Sequence, residues 1–227
     1  MIQPEIVGLT VCYHFSDVFS YTLEKNIDLF SKWYIITSEK DIETINLVNS
    51  KKNSKIELIY YPFEDHLSKS NAIKKAQEII YKEHPDKYVL IIDADIIIPE
   101  ELKIKIHKEL EQNINTDIFY SIRRSIFSDI KSYEESNLET QIKNINKQDA
   151  VGLGYFQLYF NKNILYPSAP RSSKSFWEGD FKFFLSFIEG SWKRKRTNVK
   201  ILDGHIIHLG KIGRWKTGPA YSGFKWI

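Results

Sequence analysis

Apolar positions in the first hundred residues follow two alternating rhythms. Ile6 to Tyr13 is a short run rich in β-branched residues, with the character of a buried strand. Tyr21 to Phe30 then places Leu23, Ile27 and Phe30 on one helical face. Trp33 to Thr37 reads as a second strand, followed by a helix led by Asp41 and running through Val48. Ile56 to Tyr60 is a third strand. Ser70 or Asn71 is suited to cap the next helix, whose apolar positions Ile73, Ala76, Ile79 and Ile80 share a face. His84-Pro85-Asp86 stops it, and Tyr88 to Ile92 is a fourth strand, apolar on both faces.

This order predicts parallel strands joined by right-handed crossovers, an open α/β sheet with helices on both sides. Beyond Pro99 a charged helix is expected through about Leu110. Residues 113–150 are polar and weakly patterned, with a strand-like stretch from Asp117 to Ile122. Strand character returns from Gly152 to Phe160, and Phe176 to Ile188 reads as an aromatic-rich helix. The last 25 residues read as an ordered but irregular tail. The length of 227 residues without repeat or low-complexity linker makes one domain the expectation.

Composition narrows the picture only a little. Apolar residues at 42% and charged residues at 27% are ordinary for a soluble globular protein, and the expected location is the cytoplasm. The net charge of +3 argues against a nucleic-acid partner. The one cysteine, Cys12, excludes an internal disulfide. No apolar run nears the roughly 20 residues that span a bilayer, and Met1 to Glu5 has no signal-type pattern.

Open α/β sheets bind ligands at the carboxyl ends of their strands. Of the four such ends, Tyr88-Val89-Leu90-Ile91-Ile92-Asp93-Ala94-Asp95 is the informative one. Carboxylates at i and i+2 of an extended chain project to one side. Like charges crowded there need a cation or proton, and Mg²⁺ or Mn²⁺ takes such oxygens together with substrate phosphates. The plain alternative is an acidic turn.

The segments Lys69 to Ala76 and Val89 to Pro99, with their D-x-D string, resemble the family 2-like glycosyltransferases of the GT-A fold. Tyr21 to Asn26 and Tyr34 to Asp41 look like the nucleotide-binding half of that family. The chain is similar to the small stand-alone domains of bacterial surface-polysaccharide systems and large viruses. The resemblance implies a Rossmann-like, mostly parallel mixed sheet. It divides the chain into a nucleotide-binding half (1–99), an acceptor-binding half (100–200) and a C-terminal metal-ligand and lid segment (201–227). It implies transfer of a sugar from a nucleoside-diphosphate sugar, UDP by family frequency, to a glycan or other hydroxyl acceptor.

By this resemblance Asp95 binds Mn²⁺ or Mg²⁺, and Asp93 contacts the ribose or the metal's water shell, flanking Ala94. Thr10, Tyr13, Thr37 and Asp41 line the nucleoside pocket, with Lys69 and Asn71 near the nucleotide. For the threonine and tyrosine positions, strand-end packing is the alternative. A late histidine, His208, is the implied third metal ligand, with His205 and Asp203 as substitutes. Lys211 and Arg214 in the glycine-containing tail are suited to neutralise a diphosphate. The tail and Trp192 to Arg196 also fit peripheral contact with an anionic membrane, or a solvated turn.

Inverting transfer needs a carboxylate base. Ser175-Phe176-Trp177-Glu178-Gly179-Asp180 has the form of the family's acidic motif, though Gly179 separates acids that are commonly adjacent. Asp180 is the expected base, Glu178 the second candidate, and Trp177 an acceptor platform. Gly154 and Gln157 resemble the segment beneath the sugar. A retaining mechanism stays open. The rivals are a non-catalytic nucleotide-sugar-binding module and a sugar-nucleotide pyrophosphorylase. The latter is disfavoured because Val11 to Asp17 lacks the glycine-rich loop usual after its first strand.

Overall fold

The computed structural model describes residues 3–63, 68–114, 118–146, 154–162, 164–167, 183 and 199–210. Eight strands form one open mixed sheet, in the order β3-β2-β1-β4-β7-β6-β8-β5. They are β1 (Ile6–Val11), β2 (Lys32–Thr37), β3 (Ile56–Tyr60), β4 (Tyr88–Ile92), β5 (Ile96–Ile97), β6 (Phe119–Phe127), β7 (Phe156–Phe160) and β8 (Val199–Leu209). The helices are α1 (Ser16–Asn26), α2 (Ile42–Lys51), α3 (Ser68–Glu83), α4 (Glu100–Gln112), α5 (Ile130–Glu134) and α6 (Leu138–Lys143). As expected, β1 to β4 are parallel to one another. The strands beyond them make the sheet mixed, with β7 antiparallel to both β4 and β6.

Two apolar layers cover the sheet, because alternate side chains on each strand face opposite ways. On one face Ile6, Ile35, Leu90, Ile92 and Leu158 pack with Phe19 and Leu23 of α1, Val48 of α2 and Leu102, Ile106 and Leu110 of α4. On the other, Val7, Leu9, Ile36, Val89, Ile91 and Tyr159 pack with Ala72, Ile73, Ala76 and Ile80 of α3. Gly8 is required by the first layer. A β-carbon there would lie 2.7 Å from Trp33 and 2.8 Å from Phe30. α3 is tied to β7 by a buried network in which Gln77 donates to Tyr81 and Tyr159 at 2.9 and 2.7 Å.

Several boundaries differ from those expected. The first helix starts at Ser16 and ends at Asn26, and Ile27–Leu29 form a 3₁₀ turn before Phe30 becomes extended. α3 begins at Ser68, so Ser70 and Asn71 lie inside its first turn and do not cap it. β6 runs on to Phe127, and α5 and α6 occupy ground with little periodicity because both are short and bury none of their residues.

The largest correction is β8, eleven residues where an irregular tail was expected to begin. Its alternation is broken by an irregularity. Partners of Ser121 and Arg123 on β6 are Ile201 and His205 on β8, four steps against two. Gly204 takes φ +131° there, a backbone conformation that side chains disfavour. The interruption hides the strand from any period-two reading. β8 also carries β5 on its far side, with Ile96 opposite His208.

Candidate functional site

The order β3-β2-β1-β4 fixes where the site lies. From β1 the chain winds outward through β2 and β3, then α3 crosses the opposite face to deliver β4 beside β1. The carboxyl ends of β1 and β4 therefore form the switch point, where the diverging connections leave a crevice. Asp93-Ala94-Asp95 follows directly on β4.

The aspartate turn is clamped by two buried polar residues of α1 that the sequence reading missed. Thr22 donates its hydroxyl to the Ala94 carbonyl at 2.5 Å. Asn26 donates to the Ile96 carbonyl at 2.6 Å and accepts from the Ile98 N–H at 2.9 Å. Each side chain is 1% exposed. Their signal in the sequence was a polar pair at i and i+4 on the apolar face of α1 that also carries Phe19 and Leu23. Backbone pairing adds to the clamp, since Asp93 N–H donates to the Tyr155 carbonyl and Leu209 N–H to the Asp95 carbonyl.

The two carboxylates find different partners. Asp93 Oδ1 accepts from Lys69 Nζ at 2.7 Å, an ion pair with both side chains partly exposed. Asp95 turns toward β8, where its Oδ2 lies 3.1 Å from His208 Nε2. Arg124, also missed, stands behind the imidazole with Nη1 at 3.2 Å from Nδ1. Its guanidinium lies 4.4 Å over the Tyr155 ring. Adjacent arginines inside a strand with no other charged residue were the available sign. Burial pushes the Asp95 carboxyl up, but the hydrogen-bonded His208 and then Lys69 outweigh it and hold the group below its ordinary value.

Whether a divalent cation fits can be judged from the oxygens. Asp95 Oδ1 is buried and has no hydrogen-bond partner among the described residues. A buried carboxylate oxygen without a donor is costly unless something else meets it, and a hard cation would do so. The three-ligand set of Asp93, Asp95 and His208 is not assembled. Among the described residues no three His, Cys, Asp or Glu side chains converge, and Asp93 is engaged by Lys69.

The residues expected around the nucleoside are largely committed to the fold. Thr10 is fully buried and accepts from Trp33 Nε1 at 3.0 Å. Asp41 caps α2 through Thr44 N–H at 3.2 Å, and its other oxygen accepts from His14 N–H at 2.8 Å and the Thr37 hydroxyl at 3.1 Å. Tyr13 is half-buried and stacks on Phe63 with ring centres 4.8 Å apart, leaving an aromatic surface at the end of β1. Asn71 is half-buried in the first turn of α3. Gln157 is fully buried on β7 opposite Ile91, and Gly154 is buried just before Tyr155. Trp177, Glu178, Asp180, Lys211 and Arg214, the expected Phe176 to Ile188 helix apart from Phe183, and Trp192 to Arg196 lie outside the described residues. No described helix is long and apolar enough to cross a membrane.

No family model and no curated protein matches the chain. Solved structures do. A 4-diphosphocytidyl-2C-methyl-D-erythritol synthase from Anaerococcus prevotii is similar at TM-score 0.52 and 15% identity, covering 89% of each chain. A candidate nucleotide-diphospho-sugar transferase from Desulfovibrio desulfuricans gives 0.50 and 12%, over 96% of this chain and 93% of the other. CMP:2-keto-3-deoxy-manno-octonic acid synthetase, solved with CTP, gives 0.50 and 10%, over 91% and 92%. The chain thus has the Rossmann-like nucleotide-diphospho-sugar transferase fold.

Proposed function

We propose that this protein is a metal-dependent glycosyltransferase that takes its sugar from a nucleoside diphosphate, with the switch-point crevice as the donor site. The observation that carries this reading is the buried Oδ1 of Asp95 at the carboxyl edge of the sheet, which has no hydrogen-bond partner among the described residues. A bound Mn²⁺ or Mg²⁺ would stabilise charge on the departing diphosphate there. Asp95 holds it, and Lys69, now paired with Asp93, is within reach of the same edge to meet a phosphate or release Asp93 to the ribose. Tyr13, packed on Phe63 and against His14, places an aromatic ring at the end of β1 where a base would lie. Asp180 is the proposed base for an inverting attack by an acceptor hydroxyl, with Glu178 in acceptor binding and Trp177 against its sugar face.

A second reading, nucleotidyl transfer, is favoured by the activities that two of the similar structures are named for. Against it stands the loop after β1. Residues 12–15 contain no glycine, and the His14 N–H that such a loop would offer a triphosphate is spent on Asp41. One assay separates the readings. UDP-sugars with Mn²⁺ are expected to yield UDP, abolished by EDTA and by Asp95→Ala. Pyrophosphate release from a nucleoside triphosphate and a sugar phosphate, without UDP formation, would select nucleotidyl transfer. Metal-independent turnover would defeat the cation.

A further inference from the structure

The contact between Arg124 and His208 fixes a proton. A guanidinium has five N–H donors, no acceptor, and stays charged. At the 3.2 Å contact Arg124 Nη1 therefore donates, and His208 Nδ1 accepts through its lone pair. A neutral imidazole that accepts at Nδ1 carries its hydrogen on Nε2. Nε2 lies 3.1 Å from Asp95 Oδ2, so the bonds run in one direction, from Arg124 to His208 to Asp95. The opposite tautomer would set two N–H groups against each other at Nδ1. Arg124 itself is held from behind by the Tyr155 ring, whose hydroxyl donates to the Ile122 carbonyl at 2.9 Å.

From this we propose that Arg124 locks His208 in its Nε2–H form, which makes His208 the donor that positions Asp95 and not a metal ligand. The cation then meets the protein through Asp95 Oδ1. A ligating histidine gives its lone pair to the metal and its other N–H to an acceptor. Here the outward nitrogen is already a donor, and the inner one faces Arg124. Asp95 Oδ1, by contrast, is buried with no hydrogen-bond partner among the described residues. The cation part rests on the function proposed above, whereas the Arg124–His208 part stands without it.

The full chain, labelled with ¹⁵N-histidine and free of metal, gives the first readout. Long-range ¹H–¹⁵N correlation at pH 8 should show His208, assigned by its loss in His208→Gln, protonated at Nε2 and bare at Nδ1. A protonated Nδ1 overturns the lock. Pulsed electron paramagnetic resonance of Mn²⁺ bound with inorganic pyrophosphate, which contains no nitrogen, gives the second. No directly bonded ¹⁴N is expected. His208→Gln, whose amide can still donate to Oδ2, should keep Mn²⁺ affinity within about threefold, and Asp95→Asn should lose at least tenfold. A bonded ¹⁴N, or equal losses in the two variants, assigns His208 to the metal and overturns the proposal. Absence of any Mn²⁺ binding to wild type defeats the cation reading and the role of Oδ1, while the first readout still decides the lock.

Discussion

Asp41 and Asp95 are both inward-turned carboxylates at strand ends, and they are treated differently. Asp41 is 2% exposed and has donors on both oxygens, from His14, Thr37 and Thr44. It ties the loop after β1 to the start of α2, and nothing in its surroundings asks for a ligand. Asp95 has one oxygen on His208 and the other buried with no partner among the described residues. A satisfied buried carboxylate reads as architecture, and a half-satisfied one as a place kept for something else. Their equal appearance as acids near strand ends gives no hint of the difference.

Substitution should separate them. Asp41→Ala removes a helix cap and strands three donors, two of them buried, and is expected to cost about 2–4 kcal/mol in chemical denaturation. A loss below about 1 kcal/mol would show that the hub is not structural. Next in size, Asn26→Ala leaves the Ile96 carbonyl and the Ile98 N–H without partners, at about 1–3 kcal/mol, and should also weaken Mn²⁺ binding by loosening the turn that carries Asp95. Unchanged Mn²⁺ affinity would remove α1 from the account of the site. Asp95→Asn should behave oppositely to Asp41→Ala, with stability within about 1 kcal/mol of wild type because the amide oxygen still accepts from His208 Nε2–H. Its cation binding should be lost.

Smaller effects follow from titration. Burial holds His84, His107 and His205 below their ordinary value of 6.5. At pH 7.5 they are neutral folded or unfolded. As pH falls through 6.5 the unfolded chain takes protons first, so the melting temperature should drop between pH 7 and 5. Asp95, held below 3.8, gives up its share only further down, below that value. A flat melting temperature across pH 7 to 5 would contradict the histidine burial. Smallest of all, Cys12 is fully buried and its thiol is pushed up by desolvation, so a thiol reagent should label it no faster than the chain opens.

Legibility followed the range of the interactions. β3 and β4 have the bounds their composition predicted, because a short run rich in Ile, Leu, Val and Tyr and bounded by turn residues has little other use. The Asp93-Ala94-Asp95 turn was visible for the same reason, as a local string at the end of a buried strand. Arg124 was not, since its importance lies in two residues far along the chain, Tyr155 and His208. Thr22 and Asn26 look like ordinary helix-surface polar residues until the backbone they hold, some 70 positions later, is placed against them.

By itself, then, the sequence determined the parallel half of the sheet, the face that α3 buries, and the acidic turn at the switch point. These depend on periodicity and on neighbours within a turn or a strand. The tertiary structure decided which of the two aspartates faces His208. That choice comes from register, Ile96 opposite His208 across β5 and β8 with the irregularity at Gly204 upstream. Pairing between strands more than 100 residues apart is set by how whole layers pack, and no local pattern records it.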